Sequence, residues 1–149
     1  MRFVTTVVVT STLLLTCACI PASNLDGSPT ALAALQAKAD QAQPRDRCFL
    51  YAELIRRMTE LAGQQLNSGD SEHALETLKL VQRYADKIHT GVVDDSKKLK
   101  SAELLMQGTS FRLKHILREA SYEDGPALEA TLQQLDQVQA QLMMEVFKK

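Results

Sequence analysis

The sequence predicts an all-α protein, an up-down-up-down four-helix bundle with or without an extra short N-terminal helix. Three observations support this prediction. Ala, Leu, Gln, Glu and Lys dominate the chain after residue 23, and these residues favour helices. Four segments repeat apolar residues at alternating spacings of three and four, as one face of a helix does. Turns of roughly three to five residues separate the segments, and such short connections make successive helices antiparallel.

The N-terminal segment, residues 1–22, has the composition of a secretory signal. Arg2 is its one basic residue, it contains no acid, and an apolar run rich in Val, Thr and Leu extends to Leu15. A basic start, an apolar core of about 7–15 residues and small residues after it are typical of such signals. We expect cleavage after Ala22, with Ala18 as the second choice, and export to the periplasm or the extracellular space.

Cys17 and Cys19 leave a lipid anchor in the cell envelope open as the alternative to free release. Neither has the complete aliphatic-and-small sequence that usually precedes a lipid-acceptor Cys. Cleavage after Ala22 removes both, so that Cys48 is then alone and no intramolecular disulfide can form. The aromatic and aliphatic neighbours of Cys48 favour a buried, unreactive thiol.

Residues 23–45 are expected to be a linker that contains a short Ala-rich helix. The first eight residues, SNLDGSPT, are polar and show no periodicity. Ala31–Gln43 can form a helix, but Leu32 and Leu35 are its only large apolar residues and give it little area to bury. Pro44 ends this segment, and residues 46–149 form the predicted bundle domain.

The first bundle helix is expected over Arg47–Leu66, with Asp46 as its N-cap. Two adjacent apolar stripes predict that this helix is broadly buried. They contain Tyr51, Leu54, Met58 and Leu61, and Cys48, Ala52, Ile55, Ala62 and Leu66. In the Asn-Ser-Gly-Asp turn that follows, we expect Gly69 to take a left-handed conformation and Asp70 or Ser71 to cap the next helix.

One local resemblance covers this turn. Leu61-Ala62, Gly69-Asp70, Ala74-Leu75 and Leu78 resemble the helix-turn-helix of a tetratricopeptide repeat, in which a small residue, Gly-Asp and Ala take these places. The match covers one unit of about 34 residues, and no second copy follows at that period. The resemblance implies a tight antiparallel helical hairpin, and we do not extend the peptide binding of the family to this chain.

The second bundle helix, Ser71–His89, carries the cleanest heptad, and Gly91 stops it. Its apolar positions are Ala74, Leu78, Val81, Ala85 and Ile88. The third and central helix is expected over Asp95–Ala120, with Asp94 or Asp95 as its cap. Its stripe contains Leu99, Ala102, Met106, Thr109, Leu113, Ile116 and Ala120. Because Leu104, Leu105 and Phe111 widen this stripe, we expect the central helix to contact more than one neighbour.

The fourth bundle helix begins after a turn at Ser121–Gly125. Pro126 opens it, at a position where a helix tolerates proline. Its apolar stripe continues to the C-terminus and contains Leu128, Leu132, Leu135, Val138, Leu142 and Val146.

Composition and motifs give no support for a catalytic or nucleic-acid-binding protein. The net charge is −1, and the chain has three Tyr, four Phe and no Trp, so it offers little for electrostatic steering or base stacking. It contains no nucleophile elbow, no phosphate loop and no haem-attachment motif. His73, His89 and His115 fall in no metal motif, and Asp86 with His89 forms one isolated carboxylate–imidazole pair. We therefore expect no enzyme activity, no metal or cofactor and no nucleic-acid partner.

Two surfaces are candidates for binding. The central helix has an excess of basic residues, which fits either an acidic partner or an ordinary solvated face. These residues are Lys97, Lys98, Lys100, Arg112, Lys114 and Arg118. At the C-terminus, Leu142 and Val146 can serve the core, but Met143, Met144 and Phe147 cannot share their face. These three either pack on the segment Leu25–Leu35 or form a surface for a protein partner or for self-association.

The sequence thus predicts an exported, non-catalytic interaction or helper module of the cell envelope, whose partner the sequence does not identify. Five Gln residues on the last helix give it an uncharged polar face that a helical partner could cover, or that water covers. They are Gln133, Gln134, Gln137, Gln139 and Gln141. The first alternative is a bundle that holds a cofactor or hydrophobic small molecule near Met58 and Met106. A second is an enzyme that uses Cys48.

Overall fold

A computed structural model describes residues 28–91 and 98–148, and every regular element in these ranges is a helix. The five helices are α1 (Pro29–Gln41), α2 (Pro44–Asn67), α3 (Ser71–Gly91), α4 (Leu99–Glu119) and α5 (Gly125–Phe147). The all-α prediction is confirmed, and the short N-terminal helix is present as α1. The expected signal, its cleavage sites, Cys17 and Cys19, Asp94 and Asp95, and Lys97 lie outside the described residues.

The junction between α1 and α2 differs from the sequence-based expectation. Ser28 caps α1, since its hydroxyl accepts a hydrogen bond from the backbone N–H of Ala31 at 3.2 Å. Pro44 opens α2 instead of only ending α1, so α2 begins before Asp46, which lies in the first turn and is not the N-cap. Proline suits this place because the first N–H groups of a helix have no partner within the helix.

The turn between α2 and α3 has the predicted geometry. Gly69 has a φ of +80°, the left-handed conformation that closes a helix. The N–H of Asp70 donates to the carbonyl of Gln65 at 2.8 Å, and the N–H of Gly69 donates to that of Leu66 at 3.0 Å. The carboxylate of Asp70 also accepts from the backbone N–H of His73 at 3.4 Å, as an N-cap does. The first hairpin, α2–α3, therefore has the tight form that its resemblance implies.

The second hairpin, α4–α5, lies beside the first with its helices in the same directions. In the described chain, α2 packs against α3, α4 and α1, and α5 packs against α3 and α4. Ser71 donates to Asp124 at 3.2 Å, and Gln141 donates to the carbonyl of His89 at 3.1 Å. Both pairs join α3 to α5 in the same order along the two helices, so these helices are parallel. Arg112 near Glu60 and Lys98 near Asp46 show the same for α2 and α4.

The core is formed by the predicted stripes, with one correction. Most stripe residues of all four bundle helices are buried, and they join one continuous apolar cluster with Leu32 of α1. Leu104 and Phe111 were expected to widen the buried stripe of α4, but 54% and 70% of their surfaces are exposed. The expectation was wrong because Leu105 and Ile116 pack against the core, whereas Leu104 and Phe111 border open grooves between α4 and α2.

Helices α2 and α4 approach closely at Gly63. A Cβ atom at this position would lie 2.9 Å from Cδ1 of Ile116 on α4. The missing side chain of Gly63 leaves the space that Ile116 fills.

Candidate functional site

The C-terminal residues divide between the core and the surface as their spacing requires. Leu142 is fully buried, whereas Met143, Met144 and Phe147 are 41%, 61% and 79% exposed. One expectation was that the segment Leu25–Leu35 covers them. In the described part of that segment, α1 packs on α2 and makes no contact with α5. Residues 25–27 lie outside the described ranges.

The exposed side chains of α5 belong to a larger surface that includes α4. An ion pair joins the exposed sides of these antiparallel helices, with 3.4 Å between Nζ of Lys114 and Oδ2 of Asp136. Residues that recur at spacings of three and four from these two positions share their face. We call this surface the outer face of the second hairpin. It contains Lys100, Leu104, Gln107, Phe111, Lys114 and Arg118 on α4, and Glu129, Gln133, Asp136, Ala140, Met143 and Phe147 on α5.

The apolar members of the outer face lie at one end of it. Because α4 and α5 are antiparallel with Lys114 beside Asp136, Phe111 and Leu104 lie at the heights of Ala140 and Phe147. Large exposed side chains of both helices therefore lie at similar heights, and Phe111 and Leu104 also border the grooves between α4 and α2. The sequence-based interpretation missed the α4 half, since it assigned Leu104 and Phe111 to the core. The signal that could have found it is the second heptad, on the polar side of each helix.

The predicted basic residues of α4 do not form one patch. Lys98 lies 3.7 Å from Asp46, Arg112 lies 3.9 Å from Glu60, and Lys114 pairs with Asp136. Within residues 28–91 and 98–148, Lys100 and Arg118 are exposed and have no ion-pair partner. Lys97 lies outside these ranges. Lys100 and Arg118 lie on the outer face, together with the ion pair of Lys114 and Asp136.

The Gln residues of α5 are partly used inside the molecule. The side-chain amide of Gln134 donates to the carbonyl of Gln82 at 3.0 Å and to the carboxylate of Asp86. Gln141 binds α3 in the same way through His89. These bonds join α3 to α5, and Gln133 and Gln137 remain exposed beside a shallow groove of about 400 Å³.

A second groove, of about 680 Å³, runs between α2 and α4. Gly63 and Gly108 form part of its lining, and Arg112, His115 and Glu119 provide charged groups. His115 lies 3.5 Å from Glu119, and both side chains are 61% exposed. Among the described residues that line this groove, no Ser, Thr or Cys accompanies His115.

A polar cluster holds α1 on the first hairpin. Asp40 of α1 accepts hydrogen bonds from the hydroxyl of Tyr51 at 2.7 Å and from Nζ of Lys87 at 2.9 Å. The ammonium of Lys87 also lies 5.1 Å and 5.3 Å from the ring centres of Tyr51 and Tyr84, within reach of a cation–π interaction. The hydrogen bond from Lys87 lowers the pKa of Asp40. No sequence pattern predicted this cluster, whose residues come from three helices.

Cys48 is the one cysteine among the residues that the structure describes, and it is buried, as predicted. Cys48 exposes 4% of its surface, and burial raises its pKa to about 11. Met58 and Met106, proposed as the lining of a ligand cavity, are both buried in the apolar cluster, and the grooves named above lie elsewhere, at the surface. Among the described residues, no group of three or more His, Cys, Asp and Glu side chains is placed to hold a metal ion.

In the part of the chain that the structure describes, no helix has the length and hydrophobicity needed to span a bilayer. Comparison with known protein families, with curated proteins and with solved structures found no match to this chain.

Proposed function

We propose that this chain is an exported, non-catalytic module of the cell envelope that acts by binding a protein through its C-terminal apolar surface. The observation that carries the proposal is the exposure of Met143, Met144 and Phe147 at the end of a helix whose other large apolar residues are buried or partly buried. Large apolar side chains grouped on a surface are typical of protein-binding sites, and Met adapts to different partners.

The remainder of the described chain is consistent with a binding role. Cys48 is the only described thiol and is buried, and the grooves hold exposed charges without a nucleophile beside a base. The export half of the proposal rests on the signal-like composition of residues 1–22.

The proposal is tested by photo-crosslinking in the cells that produce the protein. A photoreactive amino acid replaces Phe147, and in a matched control it replaces Tyr122, which is 98% exposed at the opposite end of α5. We expect a protein adduct from position 147 and none from position 122. The mass of the adducted chain should correspond to a chain that begins at Ser23, or to one that carries a lipid at Cys19 if the chain is anchored.

Two results would contradict the proposal. The absence of any protein crosslink from position 147 would contradict binding at this surface. A chain recovered inside the cell with residues 1–22 intact would remove the assignment to the envelope.

A further inference from the structure

The outer face of the second hairpin is a large helical surface that the other described helices leave uncovered. Helix α4 packs against α2 and α5, and α5 packs against α3 and α4. The first hairpin differs, because α1 lies on it and is bound there through Tyr51 and Lys87. On the second hairpin, Leu104, Phe111 and Phe147 remain 54%, 70% and 79% exposed.

We propose that the outer face binds the outer face of a second copy of this chain, in a two-fold dimer whose axis runs parallel to α4 and α5. This inference deepens the proposed function, on which it rests, by naming the protein that is bound. It adds the α4 side chains Leu104 and Phe111 to the interaction surface.

The charges of the face favour a second copy. The α4 side carries three basic residues, Lys100, Lys114 and Arg118, while the α5 side carries the acids Glu129 and Asp136. A two-fold axis parallel to the helices places α4 of one copy opposite α5 of the other, so that the basic side meets the acidic side twice.

The heights of the charged residues along the helices also favour this dimer. Lys114 and Asp136 lie at the same height, since they form an ion pair within one chain. The two-fold operation preserves height, so Lys114 comes opposite Asp136 of the second copy, and Phe111 comes opposite its Ala140 and Met143. An axis perpendicular to the helices would instead place α4 on α4, with basic residues facing each other.

The same charges argue against an anionic membrane as the occupant. Lys100, Lys114 and Arg118 would attract it, but Glu129 and Asp136 lie on the same face and would repel it. In size, a two-helix face about 30 Å long and about 20 Å wide covers roughly 600 Å², somewhat less than the roughly 800 Å² per partner of a standard interface. We therefore expect a dimer with a micromolar dissociation constant.

The test is sedimentation equilibrium of the full chain between about 1 µM and about 1 mM. We expect a monomer–dimer equilibrium whose dissociation constant rises at least about tenfold in Phe111→Glu and in Leu104→Glu. Tyr122→Glu is the matched control, because Tyr122 is exposed but lies outside the face. Since the three residues are exposed, all three variants should keep the helical circular dichroism of the natural chain.

A charge exchange tests the orientation. Lys114→Glu and Asp136→Lys should each weaken the homodimer, because they place like charges opposite each other. A mixture of the two variants should form a heterodimer at least as tight as the natural dimer, since Glu at position 114 then meets Lys at position 136 and the natural pair remains at the other contact.

Three outcomes would overturn the inference. They are a monomer at all concentrations, a dimer that neither Phe111→Glu nor Leu104→Glu weakens, and a mixture that fails to restore association. A monomer that still crosslinks to a different protein from position 147 would leave the proposed function standing. A monomer that forms no crosslink would contradict both the dimer and the proposed function.

Discussion

Cys48 shows how the fold decides the chemistry of a single residue. A thiol attacks as the thiolate, and burial of Cys48 on α2 raises its pKa to about 11. At neutral pH the native protein therefore holds almost no Cys48 thiolate, and the side chain is closed off from reagents in solution. An enzyme that used this residue as its nucleophile would need the opposite environment.

We expect the reaction of Cys48 with a disulfide reagent at pH 8 to be at least about 100-fold slower in the native protein than in urea. The reason is that the reagent reaches the thiol only when α2 opens locally or globally. Thiol release followed by absorbance, with the urea-unfolded chain as control, measures both rates. Complete modification of the native protein within seconds would contradict this expectation and favour the enzyme hypothesis.

Leu104 and Phe111 mark the limit of sequence-based prediction at this scale. For an apolar residue next to a buried stripe, the sequence does not distinguish a side chain that widens the core from one that faces a partner. The distinction depends on which side of α4 the neighbouring helix occupies, and α2 occupies the side of Ile116. For Leu142 and Val138 the prediction succeeded, because a fixed spacing of three and four leaves one face for the core.

The docking of α1 on the first hairpin depends on the ion pair between Asp40 and Lys87 as well as on the buried side chain of Leu32. The hydrogen bond from Lys87 lowers the pKa of Asp40 from its ordinary 3.8, so this contribution to docking is present above that value and is lost as the pH falls through the folded value. The bond to Asp40 raises the pKa of Lys87 above 10.5, so its contribution is present below that value and is lost as the pH rises through the folded value. Docking of α1 should be strongest between these limits.

We expect Asp40→Asn to reduce the hydrogen-exchange protection of α1 about two- to fivefold near pH 7, a modest effect because both charged groups are partly exposed. The variant should also lose the acid-dependent fall in protection that the natural chain shows. Lys38→Gln, on the exposed side of α1, is the control. Equal protection of α1 in Asp40→Asn and in the natural chain, after correction for intrinsic exchange, would assign docking to the apolar contacts alone.

The sequence predicts where each helix lies along the chain, but it does not predict which helices pack against each other. Gly69 and Pro126 lie at the predicted ends because backbone conformation is local chemistry. Pro44 was expected only to end the Ala-rich segment, and it also opens α2. The apolar stripes define buried faces without naming the helix that covers each one. The parallel contacts of α2 with α4 and of α3 with α5 therefore first appear in the structure.

At the scale of the whole molecule, the two hairpins share one core. The buried residues of α2, α3, α4 and α5 join a single apolar cluster, and polar bonds such as Gln82 to Thr131 at 2.8 Å connect the hairpins. Hairpins stacked side by side can also unfold one at a time, as repeat units do when their interfaces are weak. The fully buried residues on both sides of the interface favour cooperative unfolding instead.

Matched core truncations distinguish the two cases. Leu54 on α2 and Leu113 on α4 are both 0% exposed, so Leu54→Ala and Leu113→Ala should each lower the free energy of unfolding by about 2–4 kcal/mol. If the hairpins form one cooperative unit, each variant keeps a single urea transition with an unchanged slope and loses protection against hydrogen exchange equally in both hairpins. Leu104→Ala, at an exposed position on α4, should change the free energy by less than about 0.5 kcal/mol. Loss of protection confined to α4 and α5 in Leu113→Ala would show that the second hairpin opens independently. That hairpin carries the outer face, so independent opening would also make binding at this surface depend on a local folding equilibrium that α2 and α3 do not control.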